Sequence, residues 1–142
     1  MAMIFQLANL FVMPFWLLMI ALPHWRWTKR IIGSLWLIVP LAALYSTLLL
    51  PASPALLPAL LNPTVTGIAT LLGQPEGTTI AWVHFLAFDL FVGRWAYLDS
   101  RSRKLSAWLV SPILVLIFMA GPLGFLLYFG LRMILPLSSG EE

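Results

Sequence analysis

The stretch "WVHFLAFDLFVGRWAYLDSR", residues 82 to 101, has the apolar content of a membrane helix yet carries His84, Asp89, Arg94 and Asp99. A helix needs roughly 20 predominantly apolar residues to cross the hydrocarbon core, and Thr79 to Leu98 supplies them. At 1.5 Å of rise per residue, Asp89 lies about 15 Å in from Thr79, near the middle of such a span. His84 sits about 7 Å in from one end and Arg94 a similar distance from the other. Arg94 and Asp99 can snorkel to the nearer interface and serve as orientation anchors. Asp89 cannot, and a central Asp costs about 2.5–3.5 kcal/mol on insertion scales.

Two readings of Asp89 compete. In the structural one it hydrogen-bonds a neighbouring helix, with Gln6, Asn9, Tyr45 or Arg132 as partner. In the functional one it gives or takes a proton, with His84 as its complement. Five residues turn a helix by about 140°, so the four polar groups form no single stripe. His84 and Asp89 nevertheless flank one sector, which holds Phe85 and Phe88. Arg94 points away from Asp89, toward the second or fourth span.

The rest of the composition agrees with a membrane setting. Of 142 residues, 61% are hydrophobic and 9% charged, with a mean hydropathy of +0.97. A soluble domain carries about a quarter charged residues. The absence of cysteine excludes disulfides, Cys-based metal sites and thiol nucleophiles. The net charge of +3 and pI of 9.8 do not indicate nucleic acid, because six of the eight basic residues cluster in two short loops. These are Arg26, Lys29 and Arg30, then Arg101, Arg103 and Lys104.

Four apolar stretches qualify as spans: 4–22, 31–50, 79–98 and 107–135. The expected fold is therefore all-α, a single transmembrane domain over 1–142 built as a four-helix bundle. "AGPLGF", residues 120–125, interrupts the fourth stretch. Pro122 removes a backbone donor and clashes with the preceding turn, so Gly121 and Pro122 predict a kinked helix, with two half-helices as the alternative. The first stretch is no signal peptide: nothing basic precedes it and no small-x-small cleavage site follows. With four spans, the basic loops 24–30 and 99–106 share the cytoplasmic side and both termini lie opposite. Trp25, Trp27 and Trp108 mark one boundary and Trp82 the other. Arg132 is then the one basic residue near the far face, either snorkelling or paired with an acid. The connection from Pro51 to Thr78 is apolar, proline-rich and free of Lys and Arg. It reads as an interfacial loop with a short helix near 64–72.

His84 could also be an axial ligand for haem or chlorophyll, although the other histidine, His24, lies in a basic loop. No metal constellation, phosphate loop, Ser-His-Asp pattern or nucleotide motif is present. Phe85, Phe88, Phe91 and Trp95 recur at helical spacing, which suits helix packing and equally a flat polyene or macrocycle.

The stretch 82–101, together with "GPLGFLLY" (residues 121–128) and Asn9, Pro14 and Trp16 in the first span, resembles the abscisic-acid-deficient-four family. This is a family of small four-helix membrane proteins tied to neoxanthin synthesis in plant plastids, with homologues in cyanobacteria and other bacteria. The chain opens directly on its first span, which suggests a cyanobacterial or other bacterial member in a thylakoid or bacterial inner membrane. The resemblance implies xanthophyll chemistry: opening an epoxide and losing a carbon-bound proton to create an allene. That isomerisation needs no redox cofactor and no metal. It needs an acid, a base and a water-poor cleft. His84 and Asp89 would supply the acid and base, and Arg94 or Arg132 their electrostatic support. Phe85, Phe88, Trp95 and Tyr128 would line the carotenoid, while Asn9, Pro14, Asp99, Gly121, Pro122 and Arg132 would shape the bundle. Two other classes stay open. One is a non-catalytic subunit that binds carotenoid or chlorophyll in a photosynthetic complex, or forms a homo-oligomer. The other is a transporter using Asp89 and Arg94 as relay groups.

Overall fold

The computed structural model describes residues 1–135, all of whose regular structure is helical. Six helices follow in order: α1 (Ala2–Ala21), α2 (Arg26–Gly33), α3 (Val39–Leu61), α4 (Val65–Leu72), α5 (Pro75–Ser102) and α6 (Ala107–Ile134). A 3₁₀ turn, Leu35–Leu37, joins α2 to α3. Three stretches are long and apolar enough to cross a membrane: Ala2–Ala21, Leu35–Leu61 and Ala107–Ile134.

Two compact units divide the chain, Met1–Phe11 with Ile38–Ala87, and Val12–Leu37 with the described part of Phe88–Glu142. In the first, the buried side chains include Ala8, Leu41, Ile80 and Val83. The expected loop at 51–61 is helical instead, because α3 continues to Leu61 through Pro51, Pro54 and Pro58. The physical reason is visible at Pro54. A proline there leaves the Leu50 carbonyl without its helical donor, and the Ser53 hydroxyl donates to that carbonyl at 2.7 Å. The short helix expected near 64–72 is α4, capped by Thr64, whose hydroxyl accepts from the Gly67 N–H at 3.1 Å. Proline opens α5 at Pro75 and Glu76 lies in its first turn, both suited to a helix start.

In the second unit, the basic segment expected as the loop 24–30 is helical from Arg26 onward. Thr28 and Ile32, four residues apart, are its buried face. Arg26, Lys29 and Arg30 are exposed, and the first and last of these lie over the Trp27 ring at 5.5 and 5.4 Å. The end of α5 is sealed by two reversed bonds: Lys104 N–H donates to the Arg101 carbonyl and Leu105 N–H to that of Ser100. Lys104 takes φ 56° there, the left-handed position usually given to glycine.

The expected kink in α6 falls at Ala120, which is non-helical (φ −149°, ψ 62°), and the helix folds back on itself. Residues 117 and 124 of a straight helix lie about 10 Å apart. Here a Cβ placed on Gly124 would stand 2.2 Å from the Ile117 nitrogen and 2.6 Å from its Cα. Both ends of α6 consequently return to the end of α5. Leu105 bonds Ser100 just before α6 begins, and Arg132, near its other end, reaches Asp99 at 3.1 Å. A straight α6 would carry Arg132 about 37 Å from Ala107. The expectation that Arg132 lies at the far face is thereby corrected. The tail Glu141–Glu142, expected on that face too, lies outside the described residues.

Candidate functional site

Asp89 meets the break in α6. A Cβ on Gly121 would stand 2.0 Å from Asp89 Oδ1 and 3.5 Å from Oδ2, so a larger residue at 121 would displace the Asp89 carboxyl. Gly121 opens the second arm of α6, and Pro122 follows where its missing N–H costs no helical bond. A carboxylate beside the first residues of a helix faces the positive end of its dipole. Among the described residues Asp89 makes no hydrogen bond or ion pair, which leaves its oxygens available. Two of its expected partners are engaged elsewhere: Asn9 accepts from Trp82 Nε1 at 3.0 Å, and Arg132 pairs with Asp99.

Arg94 does not join Asp89 by any hydrogen bond. Its Nη2 donates to the Gly33 carbonyl at 2.5 Å, where a cation suits the C-terminal end of α2. Its Nε is buried and has no partner among the described residues.

Asp99, expected as an anchor, is instead the hub of a network. One oxygen, Oδ2, accepts from Arg103 Nε at 2.8 Å, Tyr128 OH at 2.8 Å and Arg132 Nε at 3.1 Å. Burial pushes its carboxyl up. The hydrogen bonds from Tyr128 and Arg132 and the charges of Arg103 and Arg132 outweigh that, holding it below the ordinary value of 3.8. Trp95 completes the cluster: it meets Tyr128 edge-on at 5.4 Å, Phe125 at 5.8 Å and the Arg132 guanidinium at 5.8 Å. Tyr128 is fully buried. Trp95 and Tyr128 therefore belong to the tie between α5 and the second arm of α6.

The remaining predicted residues are placed as follows. In the first unit, His84 packs its ring 5.3 Å from Tyr45, and Asn9 also donates to the Phe5 carbonyl at 2.8 Å. Phe85 and Phe88 are 54% and 59% exposed, so they face outward. Pro14 lies inside α1 on its exposed side. Arg103 and the Gly33 carbonyl were not expected. A signal for the network existed in Arg132, the one cation stranded at the wrong end of a straight fourth span.

The family model described as ABA DEFICIENT 4-like matches residues 3–128. The curated protein "ABA DEFICIENT 4, chloroplastic" of Arabidopsis thaliana is 29% identical over 108 residues, covering 72% of this chain and 49% of the relative. The chain thus matches about half the length of that relative. No solved structure matches it. With the match running from the start of α1 through Tyr128 of the Asp99 network, the chain belongs to the ABA DEFICIENT 4-like family.

Proposed function

We propose that this chain is an integral membrane protein of xanthophyll metabolism that isomerises an epoxy-carotenoid, as in neoxanthin formation. Family membership supports the substrate class. The observation that carries the chemistry is Asp89, whose carboxyl meets the break in α6 and makes no hydrogen bond among the described residues. In the reaction one epoxide C–O bond breaks, its oxygen takes a proton, and a carbon-bound proton leaves as the allene forms; atoms and electrons balance without a redox partner. Asp89 is the proton-transferring group. His84, a titratable side chain in the apolar part of the same helix, is the second residue to test.

The membrane arrangement belongs to the same reading. α1, the 35–61 stretch and α5 cross the bilayer, and α6 enters and leaves through one face. Each arm of α6, about 20 Å long at 1.5 Å per residue, is short of a core about 30 Å thick. The face that carries Arg26, Lys29, Arg30, Arg101, Arg103 and Lys104 is cytoplasmic, in a thylakoid or bacterial inner membrane.

Chromatography of pigments from membranes that contain an epoxy-xanthophyll, with and without this chain, tests the reading. Conversion to an isomer of equal mass that Asp89→Asn abolishes at unchanged protein level is expected. An unchanged pigment profile contradicts it. A second reading, a non-catalytic pigment-binding or assembly subunit, is favoured by the outward Phe85 and Phe88. Co-migration with a photosynthetic complex on a mild native gel, without pigment conversion, would select it.

A further inference from the structure

The second unit holds a cleft of about 770 Å³ between the end of α1 and the start of α6, a volume typical of ligand sites. Its walls along the two helices are mostly apolar, Ile20 on one side, Pro112 and Val115 on the other, and the Ser111 hydroxyl between them is given to the Ile20 carbonyl. Where the loops meet, His24 and Lys104 line it, and among the described residues no acidic side chain does. Trp108, 92% exposed, stands at the same end, as amphipathic rings do at a bilayer interface.

The cationic end has free donors. His24 Nδ1 faces Arg101 Nη1 at 3.5 Å. A guanidinium only donates, so the tautomer that accepts it at Nδ1 has Nε2–H as its free donor. Arg101 Nη2 is already given to the Leu105 carbonyl at 2.5 Å. Lys104 makes no ion pair among the described residues. An apolar slot with two donors at its interfacial end matches a molecule with a negative head and a greasy tail.

We propose that this cleft binds an anionic phospholipid, its phosphate on Lys104 and His24 and an acyl chain along Ile20, Pro112 and Val115. The inference rests on membrane residence and not on pigment chemistry. Phosphate accepts well from an ammonium and a ring N–H, and each cation near a charged lipid head contributes enough to change affinity about fivefold.

The full chain in mild detergent is titrated with phosphatidylglycerol, phosphatidylcholine and inorganic phosphate, and bound species are counted by native mass spectrometry. Phosphatidylglycerol is expected to be retained above phosphatidylcholine. Lys104→Gly should weaken it about fivefold. That variant suits the fold, because φ 56° is a glycine conformation. Val115→Trp, which fills the slot and leaves the charges, should also expel the lipid. Equal retention of the two lipids, or unchanged phosphatidylglycerol binding in both variants, overturns the proposal. Displacement of phosphatidylglycerol by equimolar inorganic phosphate overturns it too, since it marks a free-anion site. The pigment profile of Lys104→Gly is read separately, so failure here leaves the isomerase reading where it stood.

Discussion

In the first unit α1 is tied to α5 by the bond from Trp82 Nε1 to Asn9 Oδ1, backed by the stacking of Phe5 on Trp82 at 5.3 Å, and the Thr78 hydroxyl of α5 donates to the Leu72 carbonyl at the end of α4. The second is laced with ties. Tyr97 donates to the Pro23 carbonyl at 2.8 Å, Ser111 to that of Ile20 at 2.9 Å, and Arg94 to that of Gly33 at 2.5 Å. Asp99 gathers Arg103, Tyr128 and Arg132. The difference follows the backbone. Helices in lipid gain little from apolar contact with one another and are held by close packing and hydrogen bonds. A helix broken at Ala120 also strands backbone groups that lipid cannot satisfy. The broken element therefore needs protein around it, and polar ties hold it there.

Removing the hub should do the most damage. Asp99→Ala leaves two guanidinium groups and a buried phenol unpaired and should cost about 2–4 kcal/mol, read as thermal unfolding in detergent. The same carboxylate gives the second unit an acid sensitivity. Its folded value lies below the ordinary 3.8, so its contribution is present above that pH and fades as pH falls through the lowered folded value. Asp99→Asn should lose this acid-dependent part of the melting curve, and a curve identical to wild type would remove Asp99 from the hub.

Gly124→Val should come next, at about 1–3 kcal/mol, because its side chain would enter the Ile117 backbone. A neutral outcome would mean that the two arms do not touch. The smallest effect belongs to the first unit: Asn9→Leu removes the exposed bond from Trp82 and the bond to the Phe5 carbonyl within α1 and should cost about 1 kcal/mol. A loss as large as that of Asp99→Ala would erase the contrast between the units.

Much of this was legible beforehand. Hydrophobic runs marked the helices, Pro122 marked the break in α6, and the stretch 82–101 carried the family resemblance. The short helix near 64–72 followed from its apolar run. Three things were not legible, each for a physical reason. Pro51, Pro54 and Pro58 suggested a loop, but neighbouring hydroxyls such as Ser53 can supply the lost donors. The segment 24–30 was counted as charge, which concealed the i, i+4 pair Thr28 and Ile32. The tie between Asp99 and Arg132 was concealed by assuming a kinked but through-going fourth span. Neither Gly121 nor Pro122 states the angle of a break; the close passage of Gly124 over Ile117 does.

The fold-back of α6 positions both Asp89 and the Asp99 network, and the absence of cysteine makes it directly measurable. Single cysteines at Lys104 and Ile134 would be probed in oriented membrane vesicles with a membrane-impermeant thiol reagent. Labelling of both from the same face is the predicted result. Labelling from opposite faces would make α6 a single crossing and would contradict the fold-back.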